Sequence, residues 1–570
     1  MPIAHLPALL AWTLPLLAAG DPPAAPSSAP SAIPTGPLAP VGFSSVDVAM
    51  ERALELAKLA GDKGRIEHIG TSREGRQITV VTLGNTDPSR KMPAMLVVGG
   101  MDAVNFASPE QVLESARAIL RDKPNLLDTM RVHLVIVANP DARASAMQSK
   151  QPRATNARAV DDDRDGRIDE DGPADFDTDG FVTEMRRVAP PGVTATHMID
   201  PVDPRILRPA KREKGEVATH EILTEGRDND GDGRIGEDPE GGVDLDRNFP
   251  HRWPEAERDA GPYPLSEPES LAIAKFVRAH PEIVTAVVFG RHDTLASFPD
   301  TKDKDSTGRT PMVYLTEDHE LYRELGKSWI ETTKLEKSAN ADLAGSLVLW
   351  LADHRGIAAV AANGWTRPEP PKLAEGTQAP AETGDTEQSA WLANSERAYE
   401  TPGFIAWRPI RHPKWGDVEI GGFIPFFRES PTAAQATELA KKCAPFVIDL
   451  AARHPVINAS EVTITPLSAG LARVALRVTN TGTLASTTEM GRITGVVPPV
   501  VVRVGVPPES VLSGRAVEKI ERLLPGASVD YEWTIRVPTT GKLDLTISGP
   551  TFDTITRTAS MAVAQQESSQ

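Results

Sequence analysis

Nine aspartates are arranged in three short loops with the alternating spacing D-x-D-x-D-G. Alternate carboxylates can fold around a hard cation such as calcium, and the glycine permits the sharp turn that closes the loop. We therefore predict structural calcium in the insertion that carries these loops. The predicted ligands are Asp161, Asp163 and Asp165 in the first loop, Asp175, Asp177 and Asp179 in the second, and Asp228, Asp230 and Asp232 in the third.

The three loops differ from EF-hands at the position that normally completes the site. Position 12 is Gly172, Arg186 or Pro239 rather than glutamate, and a glutamate stands at position 10 of each loop instead. The alternative interpretation is a set of solvated acidic loops without metal. Calcium is favoured because residues 161–184 hold eleven carboxylates against two arginines, and carboxylates this close repel one another without a cation.

A second group of motifs lies outside the acidic loops. Residues 241–253 read GGVDLDRNFPHRW, residues 69–78 read IGTSREGRQI, and residues 99–109 read GGMDAVNFASP. An Asn-Pro-Asp follows the apolar run 132–138. These motifs resemble those of the zinc metallocarboxypeptidases of the carboxypeptidase A/B type. The resemblance implies a carboxypeptidase-like mixed sheet and a cleft that binds the C-terminal end of a peptide.

The resemblance also implies a zinc site at three positions. Family members hold zinc with two histidines and one glutamate. In this chain Asp102 stands at the first histidine position, Asn105 at the glutamate position, and His292 at the second histidine position. Aspartate can bind zinc, whereas the uncharged amide oxygen of asparagine is a poor ligand. We therefore expect a degenerate zinc site, and the alternative is a metal site rebuilt around Asp102 and His292.

Two further catalytic features of the family are missing from the sequence. Residues 356–365 read GIAAVAANGW, which places Asn363 where the family has its general-base glutamate. Asparagine cannot accept a proton at neutral pH, so general-base catalysis through this position is lost. No tyrosine occurs between Tyr322 and Tyr399, where the tyrosine that closes over the substrate belongs. No residue is therefore predicted as catalytic.

The anion-binding end of the cleft keeps part of the family pattern. Arg247 stands at the position that binds the substrate carboxylate, and Arg186 or Arg187 matches the arginine that polarises the scissile carbonyl. A guanidinium can pair bidentately with a carboxylate. Asp246 replaces the family's asparagine beside Arg247, and a structural ion pair between the two is the alternative. Arg247, Arg186 and Asp246 are the predicted substrate-binding residues.

Alternating strands and helices must position these residues. Apolar runs predict buried strands at 94–100, 132–138 and 283–289, and helices are predicted at 108–121 and 267–279. This pattern is typical of an α/β sheet covered by helices on both faces. The strand carboxyl ends of such sheets form the site edge, and His292 follows the third strand closely.

Local signals predict how the two helices begin and what fills the long insertion. Ser108 is expected to cap the first helix, and Ser266 with Glu269 is expected to form a capping box on the second. Residues 145–240 are polar and are expected to be irregular, so something else must order them.

The C-terminal part of the chain has a different character. Apolar and polar residues alternate at 473–478, 529–537 and 543–547, and turn signals separate these runs. This pattern predicts a small all-β sandwich of the immunoglobulin-like kind, an accessory or adhesion module. Helical spacing is expected only around 515–524.

The N-terminus resembles a secretory signal peptide. Residues 9–17 form an apolar core, small residues follow it, and a stretch rich in Pro, Ala and Ser comes next. The protein is therefore predicted to be secreted or periplasmic, without a membrane span. The predicted segments are a signal peptide at 1–20, a disordered linker at 21–40, an α/β domain at 41–454 with the acidic insertion at 145–240, the sandwich at 455–563 and a tail at 564–570.

Composition narrows the classes of partner. The net charge of −18 argues against nucleic acid, and the single Cys443 excludes an intrachain disulfide. Three functions remain open. The first is an exported pseudopeptidase that binds peptides or protein C-termini. The second is an active zinc metallocarboxypeptidase with a rebuilt metal site. The third is a calcium-stabilised surface or structural protein.

Overall fold

The structure, a computed structural model, describes most of the chain between residues 43 and 561. The described residues are 43–148, 153–161, 164, 166–229, 231, 235–236, 238–239, 241–299, 304, 313–337, 342–365, 385–396, 403–468, 470–538 and 540–561. The predicted signal peptide, linker and tail lie outside these ranges. The predicted calcium ligands Asp163, Asp165, Asp230 and Asp232 also lie outside them.

Helices and strands alternate in the first two thirds of the described chain, and strands dominate the last third. The helices are α1 Val46–Leu59, α2 Ser108–Asp122, α3 Pro140–Gln148, α4 Pro268–Ala279, α5 His319–Thr333, α6 Leu347–Leu349, α7 Thr386–Ser395, α8 Ala433–Ala452 and α9 Glu489–Thr494. The strands are β1 Gly64–Thr71, β2 Gln77–Leu83, β3 Ala94–Val98, β4 Arg131–Val135, β5 Glu184–Val188, β6 His197–Ile199, β7 Leu207–Pro209, β8 His220–Thr224, β9 Ile283–Phe289, β10 Ala358–Ala362, β11 Phe404–His412, β12 Gly416–Phe423, β13 Ile457–Ala459, β14 Thr463–Ser468, β15 Leu471–Asn480, β16 Val500–Val504, β17 Val511–Ser513, β18 Val517–Ile520, β19 Ser528–Arg536, β20 Lys542–Ser548 and β21 Ile555–Ser560.

The central sheet is mixed, with the order β1-β2-β4-β3-β9-β10. Strands β4, β3, β9 and β10 are parallel to one another. Strand β2 pairs antiparallel with both β1 and β4. Every residue of β3, β4 and β10 is buried. Strands covered on both faces are mostly apolar, which is why these runs could be recognised in the sequence, although β4 also buries Arg131 and His133.

Helices cover both faces of this sheet. Ala49 and Ala53 of α1 line one small cavity with Thr79 and Val81 of β2. On the opposite face, a Cβ on Gly70 would lie 2.6 Å from the Cβ of Ala272 in α4, so this close approach requires glycine. The predicted α/β fold, with a mixed sheet between helical layers, is confirmed.

A second sheet contains strands from the acidic insertion. Its order is β11-β12-β5-β8-β6-β7, and its neighbouring strands pair antiparallel. The expectation that 145–240 is irregular is therefore wrong for β5 to β8. These strands pack only a small apolar cluster, centred on Met185, Val418 and Ile420. Arginines over tryptophan rings add to it, with the Arg186 guanidinium 4.4 Å from the Trp407 ring centre.

Two antiparallel sheets form the C-terminal sandwich. One has the order β13-β15-β19-β17 with β14 paired to β15, and the other has the order β18-β16-β20-β21. Their facing side chains share one apolar core that contains Trp533, Val474 and Leu545. The predicted sandwich is confirmed, but the helical spacing around 515–524 is misleading, because Val517–Ile520 is strand β18.

Buried charges join the sandwich to the α/β part. The carboxylate of Asp318, just before α5, accepts hydrogen bonds from the Glu489 backbone N–H at the start of α9. Arg522 donates to Asp318 over 2.8 Å and to Glu489 over 2.7 Å. The side chains of all three residues are less than one fifth exposed.

The two predicted serine caps are wrong. Ser108 lies inside α2, and its hydroxyl accepts from the Gly100 N–H and donates to the Asn105 carbonyl. Ser266 lies before α4, and its hydroxyl accepts from Asn248 and donates to Glu267. Both hydroxyls therefore bond to these residues and do not cap the helix N-termini. Among the described helices, none is long and apolar enough to cross a membrane.

Candidate active-site cleft

The cleft forms where β3, β9 and β10 end. The loop after β3 carries Asp102 and Asn105, the residues after β9 include His292, and Asn363 directly follows β10. Because these strands are parallel, their carboxyl ends meet at one edge of the sheet. A 3-10 turn, Leu245–Arg247, brings Asp246 to the same edge.

Asn105 is tied to the protein through both ends of its side-chain amide. The Nδ2 group donates to the Gly290 carbonyl over 3.0 Å, and Oδ1 accepts from the Ala107 N–H over 3.1 Å. The residue is 1% exposed. Its oxygen therefore already serves a backbone donor, and its nitrogen links the loop after β3 to the end of β9.

Asp102 is held by backbone donors beside Asn105. Its Oδ1 accepts from the Asn105 N–H over 2.8 Å, and its Oδ2 accepts from the Arg291 N–H over 3.3 Å. Burial raises the pKa of Asp102, and the nearby carboxylates of Asp244 and Asp246 raise it further, while Arg291 opposes the rise. Both carboxylate oxygens of Asp102 therefore already accept backbone hydrogen bonds.

His292 faces Asp246. His292 Nε2 and Asp246 Oδ2 lie 3.3 Å apart, and both side chains are 1% exposed. Neither of these two atoms has a hydrogen-bond partner with acceptable geometry, and His292 Nδ1 has no hydrogen-bond partner either. The other carboxylate oxygen of Asp246 accepts from the Leu347 N–H over 2.8 Å, which fixes the side chain.

Arg291 and Asp244 complete the charged lining of the cleft. The Nη2 group of Arg291 donates a hydrogen bond to Asp244 Oδ2, and the two side chains form an ion pair. Burial alone would lower the pKa of Arg291, but Asp244, Asp102 and Asp246 raise it. Neither Arg291 nor Asp244 was among the predicted site residues. The signal available for Arg291 was its position next to His292 at the end of a buried strand.

Asn363 replaces a glutamate without leaving a proton acceptor. Its Nδ2 donates to the Arg291 carbonyl over 3.4 Å, and its backbone N–H donates to Asp293 over 3.4 Å. Its buried Oδ1 has no hydrogen-bond partner. The carboxylate of Asp293, which accepts from the Asn363 N–H, also accepts from the backbone N–H groups of Leu295 and Ala296 and so holds the loop after β9.

The two predicted anion-binding arginines have protein partners. Arg247 donates to Asp259 over 3.1 Å and forms an ion pair with Glu257. Asp246 faces His292, so the neutralising charges on Arg247 come from the loop after it. Arg186 lies in β5 of the second sheet, where it donates to Glu419 over 2.9 Å and to the Pro204 carbonyl.

The second acidic loop is the one whose three predicted ligands are all described. One carboxylate oxygen each from Asp175, Asp177 and Asp179 lies within 4.8 Å of the others. Burial raises the pKa of Asp179, and Asp177 and Asp175 raise it further. Arg408 forms an ion pair with Asp177.

The first and third acidic loops are tied to protein donors. Asp161 accepts from the Gly166 N–H, and Asp228 accepts from the Gly231 N–H and pairs with Lys414 over 2.7 Å. Possible ligand oxygens therefore lie close together in the second loop, and the positive charge of Lys414 pairs with Asp228 in the third.

The residues at the family's zinc positions do not fit a catalytic zinc ion. Such an ion needs three protein ligands around one open position. Asn105 uses its oxygen for Ala107, and Asp102 accepts two backbone N–H groups. Among the described residues, neither Asp102 nor His292 belongs to a group of three or more His, Cys, Asp or Glu side chains whose ligand atoms lie within 4.8 Å of one another.

Comparison with known proteins identifies the family of the α/β part. Residues 52–176 and 215–361 match the family model described as zinc carboxypeptidase. Residues 457–560 match the model of a domain of unknown function, DUF8731. No curated protein matches the chain. The α/β part therefore belongs to the zinc carboxypeptidase family, as the motifs predicted.

Several solved carboxypeptidase structures are similar to this chain. Bovine thrombin-activatable fibrinolysis inhibitor, in complex with tick carboxypeptidase inhibitor, is 14% identical with a TM-score of 0.37, over 72% of this chain and 98% of that chain. Carboxypeptidase A from Helicoverpa armigera is 14% identical with a TM-score of 0.36, over 72% and 73%. The metallo-carboxypeptidase from Pseudomonas aeruginosa is 10% identical with a TM-score of 0.29, over 70% and 68%.

Proposed function

We propose that this chain is an exported carboxypeptidase-fold protein whose cleft binds peptides without hydrolysing them through zinc. The observation that carries the proposal is the state of Asn105. Its amide oxygen accepts from Ala107 and its amide nitrogen donates to Gly290, so an uncharged amide that already serves two backbone groups stands at the predicted position of the third zinc ligand. Asn363 leaves the general-base position without a group that takes a proton.

Unpartnered buried atoms support ligand binding at the same cleft. Arg291 Nε, both ring nitrogens of His292, Asp246 Oδ2 and Asn363 Oδ1 are buried without a hydrogen-bond partner. Buried polar groups are almost always satisfied, so a cluster of exceptions indicates a ligand or bound water. The set contains both donors and acceptors, which suits the N–H and C=O groups of a peptide.

The proposed ligand class includes protein C-termini. Arg247 is the family's carboxylate-binding position, but Glu257 competes for its guanidinium from an exposed loop. A terminal carboxylate must therefore displace Glu257 to reach Arg247. Export rests on the first twenty residues, and N-terminal sequencing of the protein recovered outside the cytoplasm tests it.

Peptide binding can be measured with matched ligands and variants. Fluorescence anisotropy with a peptide library, each peptide free or amidated at its C-terminus, reports affinity for the full chain. We expect Asp246→Asn to weaken binding of both forms. Glu257→Gln should strengthen binding of free C-termini only, because it releases Arg247. Peptide cleavage that depends on added zinc, or equal affinities for all variants, would contradict the proposal.

A second candidate is an active metallopeptidase with a rebuilt metal site. The observation that favours it is the 3.3 Å approach of His292 Nε2 to Asp246 Oδ2, two ligand atoms without other partners, next to Asp102. Zinc in the purified protein, lost together with peptide cleavage in His292→Ala, would establish this function. Cleavage that persists in that variant would exclude it.

The acidic insertion supports a structural role for calcium. The carboxylate group of Asp175, Asp177 and Asp179 is the feature that favours it. A calcium ion that binds only the folded chain raises its melting temperature. We expect chelator to lower that temperature and calcium to restore it, and Asp177→Asn with Asp179→Asn to abolish the difference. An unchanged melting temperature argues for acidic loops that protein donors hold without calcium.

A further inference from the structure

A second group of potential metal ligands lies far from the cleft motifs, at the boundary between the central sheet and the sandwich. His133 lies in β4, His280 directly follows α4, and Glu282 directly precedes β9. One ligand atom from each of these residues lies within 4.8 Å of the others. All three line a cavity of about 590 Å³.

His133 presents an unused nitrogen to this group. The residue is 2% exposed, its Nδ1 lies 2.9 Å from the Thr82 hydroxyl, and its buried Nε2 has no hydrogen-bond partner. When Nδ1 donates to Thr82, Nε2 carries the lone pair that a metal needs.

His280 and Glu282 supply the other two ligands. His280 Nδ1 and Glu282 Oε1 are 2.8 Å apart. Two ligands on a tetrahedral zinc ion are about 3.3 Å apart, so a shift of a few tenths of an ångström lets an ion replace this hydrogen bond. The backbone around them is held, because Ala94 N–H donates to the Glu282 carbonyl and Ile283 N–H donates to the His280 carbonyl.

The surroundings favour a cation at this point and also limit its affinity. His280 caps the carboxyl end of α4, where the helix dipole is negative. Phe276 packs against both rings, with centroid distances of 5.2 Å to His133 and 4.3 Å to His280, and so restricts their rotation. Arg131 lies 3.9 Å from Glu282 Oε1, but three backbone carbonyls hold its guanidinium.

We propose that His133, His280 and Glu282 bind a divalent transition metal ion of the zinc class, with an open coordination position facing the cavity. Two histidines and one carboxylate are a ligand set that zinc accepts with a fourth position left for water. The sandwich covers the far side of the cavity with Pro498, Pro499 and Ser548. The proposal is independent of what the cleft binds.

Cobalt titration of the full chain tests the site. Cobalt in a four-coordinate histidine and carboxylate site absorbs strongly in the visible, whereas the oxygen ligands of acidic loops favour octahedral ions with weak absorption. After treatment with chelator, we expect one equivalent of cobalt to give the strong spectrum and zinc to displace it. A chain that gives no such spectrum and binds no zinc at this stoichiometry overturns the proposal.

Variants locate the ion. Glu282→Gln and His280→Gln should weaken zinc binding by more than the roughly 10- to 100-fold cost of losing an outer-shell contact. Glu67→Gln is the matched control, because Glu67 lines the same cavity outside the ligand group. This control should bind zinc as the parent does. Equal affinity in Glu282→Gln with unchanged near-ultraviolet circular dichroism, or equal losses in Glu282→Gln and Glu67→Gln, would refute the assignment.

Discussion

Strand β9 separates two groups of histidine and carboxylate side chains that differ in what they offer a metal. Glu282 stands immediately before the strand and joins His133 and His280, whereas His292 follows the strand and faces Asp246. The first group has three ligand-type side chains and a free His133 nitrogen. The second keeps the family's sheet edge, but an amide stands where the third ligand belongs.

The comparison shows that ligand identity and ligand availability are separate conditions. In the cleft, Asp102 and Asn105 are used as structural hydrogen-bonding groups for the loop after β3. At the other end of β9, the buried Nε2 of His133 has no hydrogen-bond partner. A family motif therefore identifies the fold of the cleft. Which end of β9 suits a metal is identified only by the hydrogen bonds that the side chains there already make.

The largest expected effect comes from restoring the family ligands in the cleft. We expect Asp102→His together with Asn105→Glu, in the Glu282→Gln background, to raise zinc affinity at the cleft by more than about 100-fold. The physical reason is that the double substitution returns two charged or lone-pair ligands beside His292. Zinc titration measures it. A correctly folded double variant with no gain in affinity would show that the cleft has lost its geometry as well as its ligands.

The next effect concerns the charge balance of the cleft. Arg291→Met removes the cation that faces Asp244 and Asp102, and leaves those buried carboxylates uncompensated. We expect a loss of about 3 kcal/mol in the free energy of unfolding, measured by urea denaturation. The control Arg121→Met breaks an exposed pair with Asp122 and should leave the urea midpoint unchanged. Equal effects of the two substitutions would rule out a buried charge balance.

A smaller effect is expected at the other end of β9. Thr82→Val removes the hydroxyl that lies 2.9 Å from His133 Nδ1 and orients the ring. We expect zinc affinity to fall about 10-fold, because outer-shell hydrogen bonds of ligating histidines contribute this much. The near-ultraviolet spectrum should stay that of the parent. A full loss of zinc binding would mean that Thr82 supports the fold, and no loss would mean that Phe276 alone orients the ring.

A further effect depends on pH. Burial raises the pKa of Asp353 to about 7, with a contribution from Asp318. The folded chain then binds a proton that the unfolded chain releases, so stability falls as pH rises from about 4 to about 7. Asp353→Asn lacks this proton, so the stability of the parent relative to the variant should fall by up to roughly 4 kcal/mol between pH 4 and pH 8, at about 1.4 kcal/mol per pKa unit.

His251 limits the size of that effect. Its Nε2 lies 3.1 Å from Asp353 Oδ2, and a protonated His251 would favour the ionised carboxylate. Thermal melts of parent and variant across this pH range measure the difference. A parent that becomes more stable toward pH 8, relative to Asp353→Asn, would show that His251 outweighs burial.

The sequence predicts the central sheet well, and the second sheet poorly, for one physical reason. Strands β3, β4 and β9 are buried on both sides, so apolar residues dominate each run, despite Arg131 and His133 in β4 and Thr285 in β9. Strand β5 is EMRRV, and its arginines are satisfied by distant partners. Arg186 pairs with Glu419, which is 233 positions away in the sequence. No local pattern contains that information.

The same distinction applies to the candidate site. Motif alignment correctly assigns the chain to its family and brings Asp102, Asn105 and His292 to consecutive strand ends. The hydrogen bonds that engage Asn105, and the direction in which Asp246 points from a 3-10 turn, depend on tertiary packing. His133, His280 and Glu282 come from a strand, a helix end and a strand start, so their proximity is a property of the fold alone.

The buried charges of Asp318, Arg522 and Glu489 make the sandwich more than a portable accessory. A chain cut before residue 455 would leave Asp318 without the guanidinium and the backbone N–H that neutralise it. A separately expressed sandwich would expose Arg522 and the start of α9 in turn. The two parts are therefore expected to unfold as one cooperative unit. A fusion protein that contains only one of them would carry the charges of this boundary without their partners.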